Sequence, residues 1–333
     1  MRANAALAIL GLLIAPAARA TVVIKLASLA PRGSAYSESL EEMALDFRAL
    51  SGGAVELRLY LDGVAGSEED MVRKMGVGQI QAASLTTIGM HDIAPEPEAL
   101  TVPGLIRTPG EFDYVLAHVQ GRLDAALAAR GFVAIGWAEV GTARFFSTFP
   151  LREPADAAKA RIYCWQGDPG MARAWQALGF SPVVLAPSDI LPALASGMIN
   201  AVAEPPLFPF VSRSFERTHH MLDFDWALVS GATVVRGETW ARIPAALRPA
   251  LARAAVLAGR RMSERALALD EQAVREMRVQ GLTVDEPASV ADWQGFAARS
   301  WPSLRGRVIP ADLFDRIETL VGEWRAAHPD HAR

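Results

Sequence analysis

One cysteine, Cys164, is all this chain contains, so no intrachain disulfide braces it. A core drawn from the 51% hydrophobic residues has to hold the fold. Cys164 has no histidine or other base close to it in sequence and sits in an apolar run. It therefore reads as a packed small hydrophobe rather than a nucleophile. Basic blocks are missing too: the formal net charge is −4, and nucleic-acid binding would need a basic stripe. The motifs G-x-S-x-G, H-E-x-x-H, G-x-x-x-x-G-K and G-x-G-x-x-G do not occur, which removes the usual signatures of acyl transfer, zinc proteolysis, and phosphate-loop or dinucleotide binding. Of the six histidines, His219 and His220 are adjacent, so their side chains diverge, and His91 stands in a loop beside Asp92. None has metal-ligand spacing. No catalytic residue, metal or cofactor is expected.

The first twenty residues stand apart. Arg2 gives a positive start, Ala5 to Ile14 an apolar stretch, and Ala18-Arg19-Ala20 an A-x-A cleavage signal. This reads as an export signal cut after Ala20, too short to span a membrane. No cysteine near the cut could carry a lipid, and no later stretch is long and apolar enough to cross a bilayer. The mature chain is expected to be exported, not membrane-embedded, and to act as a monomer.

At 333 residues there is material for about two domains. Val22 to Ala27 reads as a strand, followed by a helix at 37–50 whose Leu40, Met43, Phe47 and Leu50 share one face. Ala54 to Tyr60 alternates as a half-buried strand. Ser67 then caps a helix with Glu68, Glu69 and Asp70 in its first turn, and this acid cluster reads as a complement to the helix dipole rather than a metal site. Ala82 to Thr87 is a short small-residue strand. The alternation predicts a parallel α/β sheet, and ligands of such sheets bind beyond the carboxyl ends of the strands. That rule selects Leu29 to Tyr36 and Thr86 to Met90, with Thr86, Thr87 and Met90 as candidate contacts.

A second α/β unit begins near Gly136. Phe132 to Glu139 runs through Val140-Gly141-Thr142 into an extended piece at Ala143 to Ser147. A strand ending in Tyr163-Cys164-Trp165 leads to a helix at Pro169 to Leu178, capped by Asp168. A strand at Pro182 to Leu185, a helix capped by Ser188, and a strand at Ile199 to Ala203 follow, closing at Glu204-Pro205-Pro206. Pro249 to Gln280 holds no proline beyond its first residue and only Gly259 among glycines, with Gly281 as C-cap. At 1.5 Å per residue that helix is about 50 Å long, enough to run across both units. Helical segments at Val290 to Arg307 and Pro310 to Ala327 finish the chain. Two α/β lobes, a bridging helix, export and no reaction centre describe a solute-binding protein that closes around its ligand.

Several segments carry a more specific likeness: I-K-L-A-S-L-A-P (24–31), E-D-M-V-R-K-M-G-V-G-Q-I (69–80), the strand-helix run Arg161 to Leu178, G-F-S-P-V-V-L-A-P-S-D-I-L-P-A-L-A-S-G-M-I-N-A-V (179–202) and T-W-A-R-I-P-A-A-L-R-P (239–249). In this order and spacing the mature chain resembles the DctP-type solute receptors of TRAP transporters. The resemblance implies a periplasmic receptor for an ion-driven importer, with a small-molecule ligand and membrane permease subunits as partners. It implies an α/β fold of two lobes with hinge strands and a long helix contacting both. One lobe would combine 21–139 with 232–262, the other 140–231 with 263–333.

The chain departs from the family at one place. Typical members carry a K-[IL]-R-V-P segment whose arginine grips a carboxylate; here the aligned residues are Arg161-Ile162-Tyr163-Cys164-Trp165. The chain is similar instead to members with a W-x-G-D-P version. A second basic position of the family aligns with Ala143, and Arg144 is one residue off. A buried carboxylate without a charged partner is costly, and arginine's planar fork is its usual partner. With Tyr163 in that place the expected ligand is neutral, apolar or weakly polar, held by Tyr163, Trp165 and Gln166 against Thr86, Thr87 and Met90, with Pro205 at a neighbouring strand end. Trp137, Phe145 and Phe146 are further candidates for an aromatic wall. Two alternatives remain: a carboxylate receptor using Arg144, and an exported enzyme or a sensory or scaffolding protein built on the same cleft.

Overall fold

The computed structural model describes residues 21–165 and 169–329. The export signal with its cleavage after Ala20, and Gln166 and Asp168, lie outside the described residues.

The first unit forms as its pattern predicts. Strand β1 (Val22–Ser28) leads into α1 (Ala35–Leu50), then β2 (Val55–Tyr60), α2 (Glu68–Gly76) and β3 (Ala82–Thr86). Both β2 and β3 pair parallel to β1. Helix α1 begins at Ala35 rather than 37 because Ser34 takes the cap, its hydroxyl accepting from Ser37 N at 3.3 Å. Its Tyr36, Leu40, Met43 and Phe47 are buried at spacings of four, three and four, one face of a helix. After α3 (Pro109–Ala129) comes β4 (Phe132–Ser147). The two extended pieces expected there are one strand, with register shifts at Ala134/Gly136 and Glu139/Gly141. Such bulges bend a strand and raise its twist, so β4 can start in one half of the molecule and end in the other.

The second unit runs β5 (Arg161–Trp165), α4 (Pro169–Ala177), β6 (Ser181–Leu185), α5 (Ile190–Ala195) and β7 (Ala201–Glu204), with β6 and β7 both parallel to β5. Short helices α6 (Leu207–Ser212) and α7 (Phe215–Thr218) and strand β8 (His220–Leu222) follow. Strand β9 (Ala227–Arg236) then returns antiparallel to β4 from Ala143↔Ala227 to Phe132↔Arg236. The sheet order is β2-β1-β3-β9-β4-β7-β5-β6. The parallel expectation thus holds within each half. The centre is antiparallel because β4 and β9 are crossing strands shared by both halves.

Past α8 (Gly237–Arg242), α9 (Arg248–Val279) is a 32-residue helix. Its Leu251, Ala255, Ala258 and Met262 enter the core built on β1 and α1, whereas Ala273 and Met277 enter a core with Phe146, Ile190 and Met221. One straight apolar stripe therefore serves both halves, as its length predicted. After β10 (Thr283–Asp285) come α10 (Val290–Ala298), α11 (Trp301–Leu304) and α12 (Ala311–Ala327). Helix α12 goes back to the first half. Leu313, Phe314, Ile317 and Leu320 share a core with Val115, Val119 and Leu123 of α3, and Arg325 bonds the buried Glu111 at 2.7 Å.

Candidate ligand-binding cavity

An apolar cavity of about 290 Å³ lies between the halves. Its position follows from the strand ends: Ser28 at the end of β1, Thr86 at the end of β3, Tyr163 and Trp165 at the end of β5, and Glu204-Pro205 at the end of β7 all line it. This is where ligands of α/β sheets bind. The crossing strands and α9 form its floor, including Ala138, Val140, Gly231 and Met262.

Alternation along β5 decides which of its side chains reach the cavity. Ile162 and Cys164 turn into an aromatic core with Phe145, Trp175, Trp226 and Trp293, so Tyr163 and Trp165 face the other way, into the cavity. Arg161, on their side but farther from the strand end, donates to Gly197 O at 2.9 Å, outside the cavity. The Trp165 Nε1–H is buried and has no hydrogen-bond partner among the described residues. Across the cavity Tyr36 and Phe208 stack at 5.9 Å with planes 17° apart, one ring from each half, and Tyr36 Oη donates to Val140 O at 2.7 Å. Tyr36→Phe removes that donor from a nearly dry site. We expect a loss of about 1–2 kcal/mol in urea denaturation, and an unchanged midpoint would show that the bond contributes nothing.

The structure brings together Thr86, Tyr163, Trp165 and Pro205. Thr87 and Met90 lie beneath the wall. Thr87 is fully buried with its hydroxyl 2.6 Å from that of Thr101, and Met90 packs into the core of the first half. Arg144 is engaged by its own chain: Nη1 bonds Asp223 and Nε bonds Asp225, each at 2.9 Å. Of the further aromatic candidates, Phe145 and Phe146 are fully buried in two separate cores of the second half. Trp137 donates its indole N–H to Asp124 at 3.0 Å. None of the three lines the cavity: alternation turns Trp137 to the face of β4 opposite Gly136 and Ala138, and Phe145 and Phe146 lie farther along the strand in the cores of the second half.

Sequence reasoning missed two acids. The cluster at the start of α2 divides its work. Asp70 completes a capping box with Ser67, as dipole complementarity predicts. Glu68 instead turns inward, and its two oxygens accept from Thr86 N and Thr86 Oγ1, both at 2.7 Å. Helix phase was the available signal: Glu68, Met71 and Met75 form the buried face of α2. Gly89 closes over this carboxyl so tightly that a Cβ there would stand 2.2 Å from Glu68 Oε2. The second acid, Glu204, ends β7 and also lines the cavity, and no described residue donates a hydrogen bond to it. Burial pushes Glu204 up to about 7. Burial likewise raises Glu68 to about 7 against the lowering effect of the Thr86 bonds. The Tyr163 phenol is raised by burial first, and also by the charges of Glu204 and Glu68, so both acids act on one side chain. Among the described lining residues there is no lysine, arginine or histidine. The cavity can hold an apolar body and offers hydrogen-bonding groups at its polar end.

Residues 26–305 match the family model of bacterial extracellular solute-binding proteins, family 7. Among curated proteins, the chain is 25% identical over 253 residues to the C4-dicarboxylate-binding periplasmic protein DctP of Rhodobacter capsulatus, covering 72% of each. It is 24% identical over 153 residues to the uncharacterized protein YiiZ of Salmonella typhimurium, a match spanning 45% of this chain and 46% of that protein. The fold is that of solved TRAP periplasmic solute-binding proteins. The one from Desulfovibrio salexigens, with bound orotic acid, aligns at TM-score 0.84 and 15% identity, over 91% of this chain and 99% of that one. The one from Roseobacter denitrificans, with bound β-D-glucuronate, aligns at 0.82 and 16% identity, over 90% and 98%. At these identities the likeness is one of architecture.

Proposed function

The chain belongs to the bacterial extracellular solute-binding proteins of family 7, and from that premise we propose that it is the periplasmic receptor of a TRAP-type importer for a small neutral or hydrophobic organic ligand. The proposed cycle is capture between the lobes, closure, and delivery to membrane permease subunits. The export signal read at residues 1–20 and the lack, among the described residues, of any helix long and apolar enough to cross a membrane fit this role. In the proposed division, 21–139 with 232–262 forms one lobe and 140–231 with 263–333 the other. Strands β4 and β9 then act as the hinge and α9 as the strut. Helix α12 falls to the second lobe by sequence yet buries its apolar face on α3 of the first, so it works as a clasp across that division.

The observation that carries the ligand class is the cavity's lining, apolar and without a cationic side chain among the described residues. Tyr163 stands where a carboxylate-gripping arginine is expected. The rival reading draws on the solved relatives with bound orotic acid and β-D-glucuronate. In it, Arg144 would have to exchange Asp223 and Asp225 for a ligand carboxylate. Two measurements decide between them. Native mass spectrometry of the purified receptor identifies any small molecule it retains, and recovery of a dicarboxylate or sugar acid would overturn the neutral-ligand reading. Arg144→Ala should leave affinity for that retained ligand within about twofold, since side chains far from a contact rarely couple to it. A loss of tenfold or more, about 1.4 kcal/mol, would favour the carboxylate receptor.

A further inference from the structure

We propose that the ligand carries a basic nitrogen, an amine on an apolar body, seated between the carboxyls of Glu68 and Glu204. This rests on the receptor reading above and departs from its neutral ligand in one respect, a positive charge at the polar end of an apolar body. The two acids reach one cavity from opposite halves, Glu68 from α2 and Glu204 from β7. Their surroundings differ. Glu68 is held in place by the Thr86 bonds and by the close approach of Gly89, whereas Glu204 receives no hydrogen bond from any described residue. The Tyr163 hydroxyl also makes no hydrogen bond to a described residue, and the phenol lies within electrostatic reach of both acids.

A carboxyl that lines an apolar cavity and receives no hydrogen bond from the described residues is left for what enters to satisfy. An anion would meet two acids and, among the described lining residues, no cation. A plain hydrocarbon would leave Glu204 unpaired. An ammonium, or an amine facing a protonated acid, satisfies Glu204 with its N–H groups and uses the Tyr163 oxygen as acceptor. Charge also balances. One ammonium and one retained carboxyl proton between the two acids make the filled cavity neutral, in keeping with its apolar walls. Those walls, Tyr36, Leu40, Phe208 and Met262, suit a hydrocarbon or aromatic body, and Trp165 adds an aromatic ring beside the polar end.

Six probes in two matched sets test this by calorimetry on the full mature chain: phenethylamine, phenethyl alcohol and phenylacetate, and cyclohexylamine, cyclohexanol and cyclohexanecarboxylate. The expected result is that the amine of a set binds about tenfold or more tighter than its alcohol, and the carboxylate not measurably. Glu204→Gln should abolish that preference while its urea midpoint stays at or above that of the wild type, which separates loss of the charge partner from loss of the fold. Alcohols binding as well as amines would overturn the amine inference and leave the neutral-ligand reading standing. Carboxylates binding best would overturn both. Binding by none of the six, or an amine preference that survives Glu204→Gln, would also overturn the inference.

Discussion

Gly259→Val is expected to destabilise the protein by about 3 kcal/mol, the upper range for forcing bulk into a packed interior. Gly259 lies in the first half of α9, where the helix crosses β4. A Cβ there would stand 2.4 Å from Trp137 O and 3.3 Å from the same carbonyl carbon. The obstacle is backbone in the central crossing strand, so no rotamer change relieves it. Either α9 lifts away or β4 bends, and both motions open the packing of Ala138, Ala255 and Ala258 around it. Because these residues also floor the cavity, ligand binding should fall with stability. Gly295→Ala is the matched control. It lies in α10 with nothing within 4 Å of the added carbon, and removal of a helical glycine should be neutral or stabilising by up to about 1 kcal/mol. Urea denaturation of the two variants decides the matter. A Gly259→Val midpoint equal to that of wild type would mean that α9 and β4 do not approach each other so closely.

Glu204→Gln should make the unliganded protein more stable at pH 8, by about 2 kcal/mol, and flatten its pH dependence between pH 4.5 and 8. The carboxyl titrates at its ordinary 4.5 in the unfolded chain and near 7 in the fold. Between those values the native state holds a proton that the unfolded state has released. Stability from this group is therefore fully present below about pH 4.5 and is lost as pH rises through 7. The displacement corresponds to about 3 kcal/mol at 1.36 kcal/mol per pH unit; the amide regains less than all of it because it too is buried without a donor facing it. Glu68, Glu139 and Asp270 are raised to about 7 in the same sense, so the variant keeps a shallower slope of the same sign rather than none. Thermal melts across that range provide the measurement, and a wild-type slope in the variant would show that Glu204 is hydrated. Greater stability together with weaker ligand binding in one variant is the pattern of a group kept for binding at a cost to folding.

How much of this was legible in the sequence depends on the range of the interactions concerned. Helix α9 could be read end to end because its signals are local: a proline at the start, a glycine after the end, and an apolar stripe at helical spacing. The aromatic pair on β5 was legible for the same reason, since alternation puts Tyr163 and Trp165 on one face and the strand's end puts them at the cavity. Thr87 and Met90 were singled out by the same strand-end rule, and the rule does not say how far beyond the strand the wall extends. Met90 belongs to a turn that folds back into the core, and Thr87 meets Thr101 across a connection no local pattern reveals. Arg144 stood beside the family's basic position, but its partners Asp223 and Asp225 arrive from about eighty residues away.

The sequence by itself determined the class of this protein: an α/β chain with a strut helix, a first stretch that reads as an export signal, none of the common catalytic motifs, and tyrosine where the family resemblance leads one to expect an arginine. Periodicity, capping and motif order act within a few residues, so they survive without coordinates. Only the tertiary structure decided what the cavity offers a ligand. Glu68 looked like a dipole-compensating acid, with only helix phase to hint at its burial, and Glu204 like a strand terminus, with no sign in sequence that it would line a cavity. Burial, and with it the unmet hydrogen bonding of Glu204, depends on which surfaces the crossing strands bring face to face, a long-range property of the fold.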